Sequence, residues 1–288
     1  MIIENMIKYC ENLTPTDNQI AQYILENKAK IESYSMQQLA DNTFTSKSAI
    51  HRFCKKIGLD GYNDLKVKLV KDIVNEKISD NQIDVNFPFN STDSQKMIAQ
   101  SIMDLYEAAI TDTYNFIDIK ELNKVVALLH NAEIIDIYTH AHNINVAENF
   151  QDKMRSIGRM VNCARSFYEQ RCMATASKKN HVAMILSYSG RATFLPSITE
   201  VLHKKGIPVI LIGRAGNNVM KSFIKHRLYL SDKENLRNRI SQFSSHIAMQ
   251  FMLDILFACI FKMNYKKNID YIQEVISIVD DRKLSEEK

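Results

Sequence analysis

The amino-acid sequence predicts two folds in tandem: an all-α N-terminal domain, then an α/β domain whose parallel sheet is flanked by helices. Three observations predict this. Only 7 Gly and 4 Pro punctuate 288 residues, so long stretches run between breakers and favour helix. From 14 to 77 the apolar residues recur at helical spacing with turn signals between segments. Further on, short apolar runs alternate with helical segments without any hairpin signal, the pattern of a parallel sheet covered on both faces. A hydrophobic content of 45% is enough to fill real cores, and a soluble globular protein is expected.

Taken in order, "TPTDNQIAQYILENKAKIES" predicts a helix with Thr14 or Thr16 as N-cap beside Pro15, and with Ile20, Tyr23, Ile24 and Asn27 at helical spacing. "SMQQLADNT" predicts a short helix that Ser35 and Gln38 close with a capping box, Leu39 and Ala40 facing inward. "TSKSAIHRFCKKIG" predicts a second, capped by Thr45 or Ser46, with Ile50, Phe53 and Ile57 on one face and Gly58 as its stop. "NDLKVKLVKDIVNEK" closes the segment as a longer helix. Two short helices on a tight turn behind a bracing helix form a helix-turn-helix, whose second helix can enter a major groove.

The polar face of that second helix carries Ser46, Lys47, Ser48, His51, Arg52 and Lys55, donors of the kinds that meet phosphates and base edges. Residues 46 to 71 hold seven Lys and Arg against Asp60 and Asp64, a local excess above the net +4 of the whole chain. The same residues also suit a small bundle with a solvated basic face. Lys47, Arg52, Lys55 and Lys56 are the expected phosphate contacts, and Ser46, Ser48 and His51, beside Thr45, the expected base readers.

"ISDNQIDVNFPFNSTD" (78–93) is polar, contains Pro88 and lacks a helical period, so it reads as a linker, with Phe87 and Phe89 expected to dock part of it on a surface. The domains are thus 1–77, the linker 78–93, and 94–288. Two helices lead into the second domain. "EIIDIYT", "MVNCA", "HVAMILSYS" and "IPVILIG" then read as strands, with helices between them, and the chain ends in helix. The apolar run "FMLDILFACIF" carries Asp254 and is too short to span a bilayer. It reads as a buried helix or one that packs on a second subunit, and no membrane partner is expected.

"SYSGRAT" follows the third of these strands. Ligands of open α/β sheets bind beyond the carboxyl ends of the strands. With a helix expected to begin near Ala192 or Thr193, the hydroxyls of Ser187, Ser189 and Thr193 and nearby amides suit an anion, and Gly190 permits close approach. Equally, the hydroxyls suit simple helix capping. Catalysis has little support: "SYSGR" is not the GxSxG turn, and nothing in the sequence places His181, His203 or His246 beside it. No Walker A or GxGxxG occurs, so neither a nucleotide nor another cofactor is expected. His140 and His142 in "THAHN" lack a third ligand at any telling spacing, and no metal is expected. Five cysteines, odd in number and without a CxxC pair, together with no signal-peptide pattern, predict a cytoplasmic protein.

With both halves read, the chain resembles the RpiR family of bacterial transcriptional regulators, a helix-turn-helix followed by a sugar isomerase (SIS) domain of flavodoxin-like type. "LADNTFTSKSAIHRFCKKIGLDGYNDLK" resembles the family's first-domain pattern, with Arg52, Phe53, Cys54, Gly58, Gly61 and Tyr62 in register. "SYSGRAT" resembles the SIS phosphate-binding turn, and "SSHIAMQFMLDILF" its late helix, with His246 where an arginine is usual. The resemblance implies no enzyme but a regulator that binds double-stranded operator DNA as a homodimer or homotetramer and senses a sugar phosphate. It makes Ser46 to Lys56 the recognition helix and Ser187, Tyr188, Ser189, Gly190 and Thr193 the phosphate cradle. One departure stands out. Where the family carries a glycine- and serine-containing loop, "THAHN" puts Ala141 for a glycine and Asn143 for a serine, so His142 or Asn143 supplies the hydrogen bonds or sensing has weakened.

Overall fold

The computed structural model describes residues 2–76, 83–216, 220 and 222–279. The end of the first expected domain at 77, the first part of the linker (78–82) and the tail from 280 lie outside them.

Six helices form the N-terminal unit: α1 (Ile3–Lys8), α2 (Pro15–Glu26), α3 (Lys28–Ile31), α4 (Met36–Asn42), α5 (Lys47–Lys56) and α6 (Tyr62–Glu76). Local chemistry sets their ends. Thr14 caps α2 by accepting from the Asp17 amide at 3.2 Å, while the Asp17 carboxylate accepts from the Thr14 amide at 2.9 Å. Ser35 and Gln38 close the same reciprocal box on α4, and Ser46 caps α5. Gly58, at φ +91°, ends α5 in the left-handed region that a side chain disfavours. Ile20, Ile24, Ile31, Leu39, Ile50, Phe53, Leu65 and Leu69 then meet in one core, closed below by Ile3 and Ile7 of α1.

The sequence reading leaves α1 out, and it matters. Its first amide donates to Asp72 on α6 at 2.6 Å. At its other end Lys8 pairs with Asp232 at 2.7 Å and the Tyr9 hydroxyl donates to the same carboxylate, so α1 ties the two halves of the chain together.

The C-terminal unit opens with α7 (Gln95–Asn115) and α8 (Ile119–Asn131), then runs β1 (Ile134–Tyr138), α9 (Asn143–Arg155), β2 (Met160–Cys163), α10 (Phe167–Ala176), β3 (His181–Leu186), α11 (Leu195–Lys204), β4 (Val209–Arg214), β5 (His226–Leu230), α12 (Phe243–Met263) and α13 (Tyr265–Val279). The sheet order is β2-β1-β3-β4-β5, all parallel. The four predicted strands are present. The fifth, "HRLYL", is an addition: a short edge strand with partly exposed His226 and Arg227 shows no apolar run.

Alternation along the strands sends side chains to two cores. Ile135, Ile137, Met184, Leu186, Ile210 and Ile212 join residues of α8, α9 and α12; Tyr138, Ala183, Ile185, Val209 and Leu211 face α10 and α11. α12 is long and apolar enough to cross a bilayer, yet Ala248, Met249, Met252, Leu253 and Leu256 lie buried in the first of these cores. It is the central helix of the layer. In the linker, Val85 and Pro88 are the buried residues, whereas Phe87, expected to dock, stays 46% exposed. Asn86 fastens the segment by accepting from the Asn235 and Ile240 amides.

The Lys56 ammonium and Thr14 bonds hold the Asp17 carboxyl below its usual range, although burial alone would raise it. A carboxylate with a lowered folded pKa contributes stability above its unfolded pKa and loses it as pH falls through the folded value. We predict that Asp17→Asn lowers unfolding free energy by about 1 kcal/mol at pH 7. In urea titrations at stepped pH, that deficit shrinks as wild type is acidified below about pH 4.

Candidate functional site

Two groups of residues stand out, one in each unit. On α5, Ala49, Ile50, Phe53 and Cys54 are buried, and burial pushes the Cys54 thiol up to about 12, which keeps it inert. The opposite face exposes Ser46, Lys47, Ser48, His51, Arg52, Lys55 and Lys56, with Thr45 half-buried at its start.

Their partners separate them. Lys47, Ser48, His51 and Arg52 carry no ion pair or side-chain hydrogen bond among the described residues, so their donors are available. Ser46 Oγ accepts from the Ala49 amide at 3.1 Å, and Thr45 Oγ1 lies 2.8 Å from Thr43 Oγ1. Lys55 keeps a loose 3.7 Å contact with Asp60. Lys56, expected among the phosphate contacts, reaches back to Asp17 Oδ2 at 2.7 Å, so its charge is already neutralised within the unit.

In the second unit the strand order reverses direction between β1 and β3, the point where loops on opposite sides of a sheet part and leave a crevice. "THAHN" leaves β1 there and "SYSG" leaves β3 beside it. Thr139 Oγ1 donates to the Leu186 carbonyl at 2.9 Å and pins the two loops together.

Ser187 and Tyr188 continue the ladder with β4: the Ser187 amide donates to Ile212 and the Tyr188 carbonyl accepts from Arg214. Ser189 is the first residue free of it, its Oγ accepting from the Arg191 amide at 3.2 Å, and Gly190 follows at φ +68°. Two expectations need correcting. Tyr188 alternates with the serines and points to the other face, where it is buried in the core of α8, α9 and α12, so it is no cradle residue. The next helix begins at Leu195, not near Ala192 or Thr193, because Pro196 fits its first turn; Thr193 is exposed in the loop and caps nothing.

The "THAHN" loop holds several polar atoms without partners. Asn143 is 4% exposed and its Oδ1 is unpaired, as are the buried His140 Nδ1 and His142 Nε2. No side chain caps α9, whose N-cap is His142. Burial lowers the His142 pKa, helped by the nearby positive charge of Arg239 and by His246 and His140; burial alone lowers His140. Ala141 takes φ +53°, the left-handed conformation that suits the missing glycine. The His140 ring packs edge-on against Phe194 at 5.5 Å, and Phe194 stacks on Phe167 at 5.2 Å.

Sequence reasoning missed the group behind this loop. Glu234 is completely buried, accepting from the Ser245 amide (2.8 Å), the Ser245 hydroxyl (2.6 Å) and the Arg239 guanidinium. It fixes the start of α12, and with it His246 and Arg239 beside His142.

On α11, the helix after the "SYSG" turn, the carboxylate and imidazole that an isomerase would need as a base are both engaged: Glu200 is tied to Lys204 at 2.8 Å on the surface, and His203 packs on Phe223. His181 pairs with buried Asp136 at 2.8 Å, but from the first residue of β3, away from the carboxyl ends. An open cleft of about 600 Å³ lies along the β2 edge. Its Arg165 is held by Glu148 through two bonds, which neutralise the charge an anion would seek. No cluster of metal-binding side chains occurs among the described residues.

Residues 1–76 match the helix-turn-helix domain of the rpiR family. The chain is similar, at 27% identity over 274 residues and 95% of each chain, to an uncharacterized HTH-type transcriptional regulator of Caldanaerobacter subterraneus subsp. tengcongensis. In structure it resembles the Vibrio vulnificus NanR protein complexed with ManNAc-6P (TM-score 0.58, 20% identity, 96% of this chain and 98% of that one). It also resembles the sugar isomerase domain of an RpiR transcription factor from Sphaerobacter thermophilus (TM-score 0.55, 12% identity, 64% of this chain and 99% of that one). The N-terminal unit is therefore a helix-turn-helix domain of the kind found in the rpiR family. The C-terminal half has the fold of the sugar isomerase (SIS) domains it resembles.

Removing a buried charge partner leaves the other charge unpaired, which costs about 3 kcal/mol. Glu234→Ala, which strands Arg239 and the Ser245 amide, is expected to lower stability by that order in urea unfolding, whereas Glu200→Ala, on the surface, leaves it within about 0.5 kcal/mol.

Proposed function

We propose that the chain is a cytoplasmic regulator of carbohydrate metabolism that binds operator DNA through α5 and whose operator affinity is set by a sugar phosphate held between the "THAHN" and "SYSG" loops. In this reading 1–77 is the DNA-binding domain, 78–93 the linker, and 94–288 the sensing and pairing domain, the protein acting as a homodimer or homotetramer.

The observation that carries the sensing half is the set of unpaired buried atoms at the β1/β3 crevice, on Asn143, His140 and His142. Buried polar groups are nearly always paired, so three together call for a polar ligand. Ser189, the Gly190 turn and the start of α9, which no side chain caps, favour an anionic one. The bound ManNAc-6P of NanR, a protein of the same architecture, supports a phosphorylated sugar. With Glu200 and His203 engaged elsewhere, the site favours binding over isomerisation. A second reading, in which the C-terminal domain serves assembly alone, draws on Ala141, whose methyl stands where a glycine would admit a ligand.

DNA binding rests on Lys47, Ser48, His51 and Arg52, exposed together on one face of a short helix anchored by its opposite face. Cations neutralise phosphates and release counterions, while Ser48 and His51 suit base edges. A ligand alters DNA affinity only by favouring one arrangement of the two DNA-binding domains of an oligomer.

Arg52→Ala is expected to weaken binding about tenfold on every duplex tested and to lower the slope of log K against log salt by about 1, with the melting temperature unchanged. Fluorescence anisotropy across a salt series reads both; unchanged affinity at matched salt removes Arg52 from the interface.

For the sensing site, a thermal-shift screen of hexose, amino-sugar and pentose phosphates is expected to find one that stabilises wild type and not Ser189→Ala, since a ligand of the native state raises its stability. No response across the panel from a protein that remains an oligomer selects the assembly reading.

A further inference from the structure

The turn between α4 and α5 holds an anomaly that the cationic face does not explain. Phe44 is 90% exposed, the highest value among the exposed large hydrophobic residues, and it adopts φ +50°. Each property is unfavourable. A bare phenyl ring gains nothing from water, and a left-handed backbone crowds the Cβ of any residue but glycine. A glycine would serve this turn better on both counts.

The surroundings force the conformation. Thr43 is buried, its hydroxyl donating to the Leu39 carbonyl at 2.7 Å and lying 2.8 Å from Thr45 Oγ1. The Phe44 amide donates to Asp41 and the Thr45 amide to Ala40. With both neighbours fixed, the ring is held out of the domain two residues before the Ser46 cap. Strain and exposure maintained together in a rigid turn mark a functional position.

The geometry points to Phe44 as a reader of thymine. In a helix-turn-helix the amino-terminal end of the second helix meets the base edges. Phe44 lies two residues before the Ser46 cap of the helix whose exposed face carries Lys47, Ser48, His51 and Arg52, and their charge favours a polyanion over an apolar protein partner. The one apolar group on the major-groove edge of a base pair is the thymine 5-methyl, and a phenyl ring with no hydrogen-bonding atom suits it. We propose that Phe44 packs on a thymine methyl in each half-site; this rests on the DNA-binding reading and adds a base preference to it.

The test uses full-length protein and a duplex enriched from a randomised pool. Each thymine of the enriched duplex is replaced in turn by uracil, which lacks only the methyl. Wild type is expected to lose about fourfold in affinity at one position per half-site, the value of one buried methyl-sized group. Phe44→Gly is expected to bind the thymine duplex more weakly, to be indifferent to uracil at that position, and to melt no lower than wild type because glycine relieves the turn. Phe44→Leu should recover part of the affinity and of the uracil sensitivity.

Equal affinity and an identical uracil profile for wild type and Phe44→Gly overturn the inference, as does lost affinity with no uracil-sensitive position, or a change of oligomeric state in the variant. If no duplex is enriched at all, the DNA-binding reading falls first and takes the inference with it.

Discussion

Parallel pairing of β1 with β3 is the constraint on which the C-terminal half depends. Because every strand runs the same way, all carboxyl ends lie on one edge, and α9, α10 and α11 carry the chain back across the faces of the sheet between the first four strands. Because β2 pairs on one side of β1 and β4 on the far side of β3, the loops after β1 and β3 leave in opposite directions. The Thr139 bond to Leu186 then sets how far apart they stand. A crevice between Asn143 and Ser189 follows from strand order, and only the side chains in it are particular to this chain.

The same order determines what was legible in the sequence. Capped helix starts could be read directly, since Thr14, Ser35 and Ser46 act within three residues of themselves. Buried strands announced themselves as apolar runs. What stayed hidden was made by contacts distant in the chain: α1, a six-residue helix that depends on packing against α6, and the edge strand β5. The turn after β3 was half legible. Small residues and a glycine after a strand marked it, but which face Tyr188 takes depends on the ladder with β4 continuing two residues past β3. Glu234 had no local signature, because its partner Ser245 lies eleven residues on and both are polar.

Glu234 and Asp232 connect the two ends of the proposed mechanism. Two residues apart after β5, they face different tasks. Glu234 fixes Arg239 and the start of α12 behind the "THAHN" loop, and Asp232 receives Lys8 and Tyr9 from the N-terminal helix. Those bonds hold the Asp232 carboxyl below its usual range against the upward push of burial. α1 in turn holds Asp72 of α6. The start of α12 is thus linked to the helical unit through Glu234, Asp232 and α1.

Three local irregularities share one logic. Much of this chain satisfies local rules: α2, α4 and α10 start in reciprocal capping boxes and the cores are apolar. Phe44 is exposed and left-handed, Ala141 is left-handed where glycine would be at ease, and Asn143 is buried with an idle oxygen. Each costs on the order of 1 kcal/mol in a protein whose net stability is small, so each is retained only where the surrounding structure overrides local preference. Phe44 and Ala141 lie in the loops that precede α5 and α9, Asn143 is the first residue of α9, and helix starts are where a fold offers donors to anions. Left-handed residues and unpaired buried atoms also occur elsewhere, at Asn12 and Met220 and at Asn5, Gln170 and Thr199, so what sets these two places apart is that charge and strand order point to them as well.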